Sequence, residues 1–148
     1  MSIYEGIEEV TAQRRSQTDT IWIEPGDFEL EISYVKDGRA DQGEGKPYFV
    51  VEFEVISSTN DSIPKGETVS WMTMRGKFKK YFLEDVKNFI AAATDSSPNE
   101  VTPDVVGHCT SEEQPLVGAV VQAHAYHKPN AQGKEFTVVN YKPSKTPF

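Results

Sequence analysis

The sequence predicts an all-β domain, a five-stranded β-barrel carrying one helix between strands three and four. Three observations predict it. Apolar and polar residues alternate with period two in the first half of the chain. A single stretch of helical spacing follows the third strand. Turn signals then separate two more extended segments.

The totals set the frame. The chain has 148 residues, enough for one domain with a core of its own. No apolar run approaches the roughly 18–20 residues of a membrane helix. The N-terminal Met1-Ser2-Ile3-Tyr4-Glu5-Gly6 does not read as a signal peptide, so a cytoplasmic location is expected, without a membrane partner. Cys109 is the only cysteine, which excludes an intrachain disulfide. The net charge is −8, yet residues 65–80 hold five bases and one acid. A small basic segment therefore sits in an acidic chain, and phosphate binding rests on where the bases are, not on their total.

Residues 1–21 are polar, with Arg14-Arg15 in the middle and no clean period, and read as an N-terminal arm. The domain is expected over residues 22–142, with 143–148 as a tail. Strand one follows the turn signal Pro25-Gly26; Phe28, Leu30, Ile32 and Tyr34 alternate with Glu29, Glu31 and Ser33. Asp37–Lys46 is a Gly-rich charged loop. Strand two runs Tyr48–Ile56, with Phe49, Val51, Phe53 and Val55 on one face. Ser57–Gly66 is a turn region, and strand three is about Glu67–Met74.

The helix is expected over Lys77–Ala93, where Phe78, Phe82, Val86, Phe89, Ile90 and Ala93 form one apolar stripe. Residues 95–115 read as a loop with one short helical turn near Pro103–Val106. Strand four is Leu116–Tyr126, His127–Gly133 a turn, and strand five Glu135–Tyr141.

This order of elements fits an OB-fold, the five-stranded Greek-key barrel whose ligands lie over strands two and three, between the loop joining strands one and two and the loop joining strands four and five. Here the first loop carries Arg39 and Lys46, and the second carries Lys128 with Lys134 beside it. Pairing Val55 with Thr68 brings Tyr48 next to Arg75. Lys36, Arg39, Lys46, Arg75 and Lys77 then gather at one end of the sheet with Tyr34 and Tyr48, while Glu29, Glu31, Glu52 and Glu54 fall toward the other end.

Bases and aromatics together suit single-stranded nucleic acid, because every base offers a π-face to stack and every linkage a phosphate to neutralise. Trp71 shares the outer face with Glu52 and Tyr48 in this register, but a one-residue slip turns it into the core, and the sequence leaves both open. Tyr126 and Tyr141 flank the second loop and extend the platform.

The layout resembles the small single-stranded DNA-binding proteins encoded by tailed phages. The resemblance is carried by Pro25-Gly26-Asp27-Phe28, Tyr48-Phe49-Val50-Val51-Glu52-Phe53, Lys65-Gly66-Glu67, the Phe82-Leu83-x-x-Val86-x-x-Phe89 helix and Gly118 opening strand four, over about residues 22–142. It implies a role in phage DNA replication, recombination or repair, and self-association. The terminal Pro147-Phe148 is similar to the end of bacterial single-strand-binding proteins, which recruits replication or recombination proteins. Theirs closes an acidic tail, whereas Lys142 and Lys145 are the only charges here, which leaves recruitment open.

Catalysis has no support in the sequence. There is no phosphate-binding glycine loop and no dinucleotide pattern. His124 and His127 stand three apart in a strand and its turn, on opposite sides, and His108-Cys109 lies in a loop. No metal or cofactor is expected. The alternative to DNA binding is a non-catalytic structural or adaptor protein, a virion component or replication accessory.

Overall fold

The computed structural model describes residues 20–39, 46–75, 79–129 and 132–144. The expected arm therefore lies outside the described residues except for its last two positions. Lys77, Lys145 and Pro147-Phe148 lie outside them as well.

Five strands form one antiparallel sheet: β1 (Gly26–Arg39), β2 (Pro47–Ser58), β3 (Thr68–Met74), β4 (Val120–Pro129) and β5 (Glu135–Pro143). Their order in the sheet is β3-β2-β1-β4-β5. A helix, α1 (Lys79–Thr94), follows β3 in the chain, and a shorter one, α2 (Pro103–Cys109), precedes β4.

The expected closed barrel is not what the described residues form: no ladder joins β3 to β5. The two edges meet through side chains instead. Trp71 of β3 and Tyr141 of β5 pack edge to face with Phe89 of α1 and Phe53 of β2 beside them. Phe28, Leu30, Ile32, Val35, Phe49, Val51, Phe53, Val55, Val69, Val121, Ala123 and Ala125 complete the sheet's share of the core. Val86, Phe89 and Ile90 are the buried stripe of α1.

Helix α1 ends where the breaker cluster begins. Asp95 has φ 54°, Asp95 N–H donates to Ala92 O and Ser96 N–H to Ala91 O. This pair of bonds satisfies the last carbonyls and stops the helix. The helical turn expected near Pro103–Val106 is present as α2, and the rest of the segment over 95–115 is more ordered than the loop expected there. Ser97 and Glu100 form a reciprocal cap around a 3-10 turn at Pro98–Glu100. Thr102 then caps α2, its hydroxyl accepting from Val105 N–H. Local side-chain caps of this kind leave no hydrophobic period behind, which is why periodicity missed them.

Strand β4 starts at Val120, four residues later than expected from Leu116. Gly118, at φ 94°, makes the turn into it.

Two register features decide which side chains face out. In β1 an extra residue, Ser33, bulges between Ile32 opposite Phe53 and Tyr34 opposite Glu52. Between β2 and β3, Glu54 is opposite Thr68, Val51 opposite Trp71 and Tyr48 opposite Met74. That is one residue away from the pairing of Val55 with Thr68. The slip turns Trp71 inward, where it is only 7% exposed.

Candidate nucleic-acid interface

The outer face of β1, β2 and β3 is read row by row across the strands. Tyr34, Glu52 and Ser70 stand opposite one another; so do Lys36, Val50 and Met72; so do Gly38, Tyr48 and Met74. At the rim Arg39 is opposite Pro47, and Arg75 N–H donates to Pro47 O at 2.9 Å. Two guanidinium-bearing residues therefore flank Pro47.

This face carries several large exposed apolar side chains among its polar ones. Tyr34 is 48% exposed, Met72 41% and Met74 40%. Lys36 and Lys46 are exposed beside it and Arg75 is exposed at the rim, one residue past Met74; none of the three has an ion-pair partner among the described residues. Large flat or polarisable side chains with cations at the margin are what a stacked, phosphate-linked ligand needs.

Sequence reasoning missed the residue that extends the face furthest. Ile21 O accepts from Ser70 N–H at 2.8 Å and Ile23 N–H donates to Ser70 O at 2.9 Å. This short parallel bridge sets Trp22 opposite Ser70 on the free edge of β3. Ile23 is buried and Ile21 packs against the core, so Trp22 points away from it and is 48% exposed. Trp22 and Tyr34 thus end one row, about 14 Å apart across three strand spacings. The signal lay in Ile21-Trp22-Ile23, a β-branched pair around a ring, which is too short to stand out as a strand.

Tyr48 is placed by a glycine. A Cβ at Gly38 would come within 2.8 Å of Tyr48 Oη and 3.0 Å of its Cζ. The missing side chain lets the phenol ring lie across β1. Behind the ring an apolar groove of about 630 Å³ opens between the β1–β2 end, α1 and α2, with Arg39, Phe82, Val86 and Val106 among its walls.

The expected site is thus only partly assembled. Tyr34, Lys36, Tyr48, Lys46, Arg39 and Arg75 converge at one end. Trp71 does not join them, for the register reason given above. Tyr141 does not either, because its ring belongs to the core and its hydroxyl is buried.

Tyr126, Lys128 and Lys134 stand at the opposite end of β1, since Gly26 pairs with Ala125 and β4 continues outward from there. Roughly 40 Å of strand path separates Gly26 from Gly38. Tyr126 packs against His124, with ring centroids 5.5 Å apart.

The acids behave largely as expected. Glu31 faces Glu54 across the strands, away from the basic end. Glu52 is the exception and stands directly beside Tyr34. The histidines pair separately with carboxylates: His124 with Asp27, His127 with Glu135 and His108 with Glu113. Among the described residues no helix is long and apolar enough to cross a membrane. No protein-family model matches this chain, and no curated protein matches it.

Proposed function

We propose that this chain is a sequence-tolerant single-stranded DNA-binding protein of the phage replication and recombination type, without catalytic activity. It would work on an OB-type barrel whose seam between β3 and β5 is closed by rings instead of a ladder. The observation that carries the reading is the outer face of β1–β3. Trp22, Tyr34, Tyr48, Met72 and Met74 lie on it with Glu52 among them, and Lys36 and Lys46 beside it and Arg75 at its rim have no ion-pair partner among the described residues. Bases would stack on the rings while the margin neutralises phosphates. Each stack contributes roughly 1–3 kcal/mol.

Lys46→Gln, Tyr48→Ala and Arg75→Gln combined is the direct test. Fluorescent oligo-dT should bind the parent chain, with affinity falling steeply as salt rises. The triple variant should lose binding while its thermal melt stays close to the parent's. Normal binding by the variant would sink the placement, and no binding by the parent would sink the function. Duplex and RNA oligomers in parallel define the preferred nucleic acid.

An adaptor role is the second reading. Met72 and Met74 favour it, because exposed methionines also suit apolar peptide segments. An adaptor would show neither oligomer binding nor salt dependence.

A further inference from the structure

Gln114 fills a place in the sheet that backbone ordinarily fills. β1 is paired with β4 from Gly26 to Glu31. Ile32 continues the ladder: its N–H donates to Ala119 O at 2.8 Å and its carbonyl accepts from Gly118 N–H at 2.9 Å. The chain then turns away. At Val35 the next backbone pair on that edge is met by a side chain. Gln114 Oε1 accepts from Val35 N–H at 2.9 Å, and Gln114 Nε2 donates to Val35 O at 2.8 Å. A primary amide offers one acceptor and a donor on one planar group, so it can imitate a strand residue.

Gln114 is itself held. Its Nε2 also donates to Ser111 O at 3.1 Å, its own N–H donates to Ser111 O, and its carbonyl accepts from Val117 N–H. Its φ is 48°, the left-handed region that a side-chain-bearing residue rarely adopts. A strained backbone that aims two hydrogen bonds at one residue needs a reason, and the bulge in β1 supplies one. Before Ser33 the even-numbered residues Phe28, Leu30 and Ile32 face the core; after it Val35 does. Without the bulge, plain alternation would carry Tyr34 and Lys36 inward and Val35 outward. Val35 is the first core residue past the bulge, and it is the one Gln114 grips.

We infer that Gln114 is a positioning residue for the nucleic-acid face: by pairing with both backbone groups of Val35 it holds the β1 bulge in the register that turns Tyr34 and Lys36 outward. The functional half of this inference rests on the reading above; the register half does not.

The test is a double-mutant cycle on oligo-dT affinity, run well below every variant's melting temperature. Gln114→Met keeps the length and loses both hydrogen bonds. It should weaken binding by about tenfold, the size of one lost stack. Tyr34→Ala combined with Lys36→Gln should weaken it at least as much, and adding Gln114→Met to that pair should cost nothing further, because Gln114 acts through these two side chains. A merely structural role would give additive losses or none, and either result overturns the inference. Should Gln114→Met fail to fold, Gln114→Glu keeps the acceptor and loses the donor, and takes its place in the same cycle.

Hydrogen exchange at the Val35 amide and nitration of Tyr34 by tetranitromethane read the register without DNA. Faster exchange together with lost nitration supports the clamp; unchanged values overturn it. If the parent chain binds no oligomer, the nucleic-acid reading falls, and these two measurements still decide what Gln114 does.

Discussion

The rings of Trp71 and Tyr141 meet edge to face with centroids 5.0 Å apart, although their strands are the two opposite edges of the sheet. Phe89 of α1 lies within 6 Å of both, so the helix and the two edges share one aromatic cluster. Side-chain packing therefore brings the two edges together, although no ladder joins them. The arrangement leaves the Tyr141 hydroxyl buried with no hydrogen-bond partner among the described residues. Burial, and then the nearby Asp85 carboxylate, push this phenol well above its ordinary value.

Tyr141→Phe should accordingly stabilise the fold by about 1 kcal/mol, since it keeps the ring and removes an unsatisfied polar atom. Tyr141→Ala should destabilise it by about 3–5 kcal/mol by opening the seam. Urea denaturation checks both. A destabilised Tyr141→Phe would mean that the hydroxyl is satisfied in solution.

Asp85 carries a pH dependence. Its carboxyl is raised above the usual carboxylate range, chiefly by burial, with Glu84 adding to the effect, while the Thr73 hydroxyl donating at 2.8 Å acts against it. The folded state thus holds this proton more tightly than the unfolded chain. The stabilisation is complete below the ordinary carboxylate value and is lost as pH rises through the raised folded value. Asp85→Asn keeps an acceptor for Thr73 and should raise Tm at pH 7 while melting with the parent near pH 3. Because Asp85 is still partly open to water, the gain should be small. Melting curves at the two pH values decide it; an equal gain at both would rule out the titration.

Gly38→Ala separates binding from stability. The new methyl would displace the end of the Tyr48 side chain, not backbone, so the fold should tolerate it. The tilted ring should cost oligo-dT affinity, by up to about tenfold if one stack is lost. Equal affinity with an unchanged melt would remove Tyr48 from the platform.

The two tryptophans should separate in fluorescence. Trp22 is half exposed on the proposed face and Trp71 is in the core. Oligo-dT should quench emission in Trp71→Phe and leave it nearly unchanged in Trp22→Phe. The reverse pattern would put the ligand elsewhere.

Much of this molecule is legible in its sequence. Phe49, Val51, Phe53 and Val55 name their own buried face, and Val86, Phe89 and Ile90 name that of the helix, because solvent sorts side chains along any regular backbone. The grouping of Lys36, Lys46 and Arg75 at one end follows from strand order and length alone.

What needed the tertiary structure has one physical root: a period-two pattern does not say which residue of a neighbouring strand it faces. Thr68 and Val69 are both plausible partners for the end of β2, and only core packing around Phe49 and Phe89 selects the pairing that buries Trp71. The bulge that turns Tyr34 outward is invisible to alternation for the same reason. Trp22 joins the face through two backbone hydrogen bonds to Ser70, and Gln114 shapes it from outside the ladder through two more to Val35, bonds between residues that no local pattern connects. The sequence by itself determined which residues are apolar, charged or ring-bearing and which elements they form. Only the packed core, which is close-packed and tolerates one register, decided which of them share the outer face.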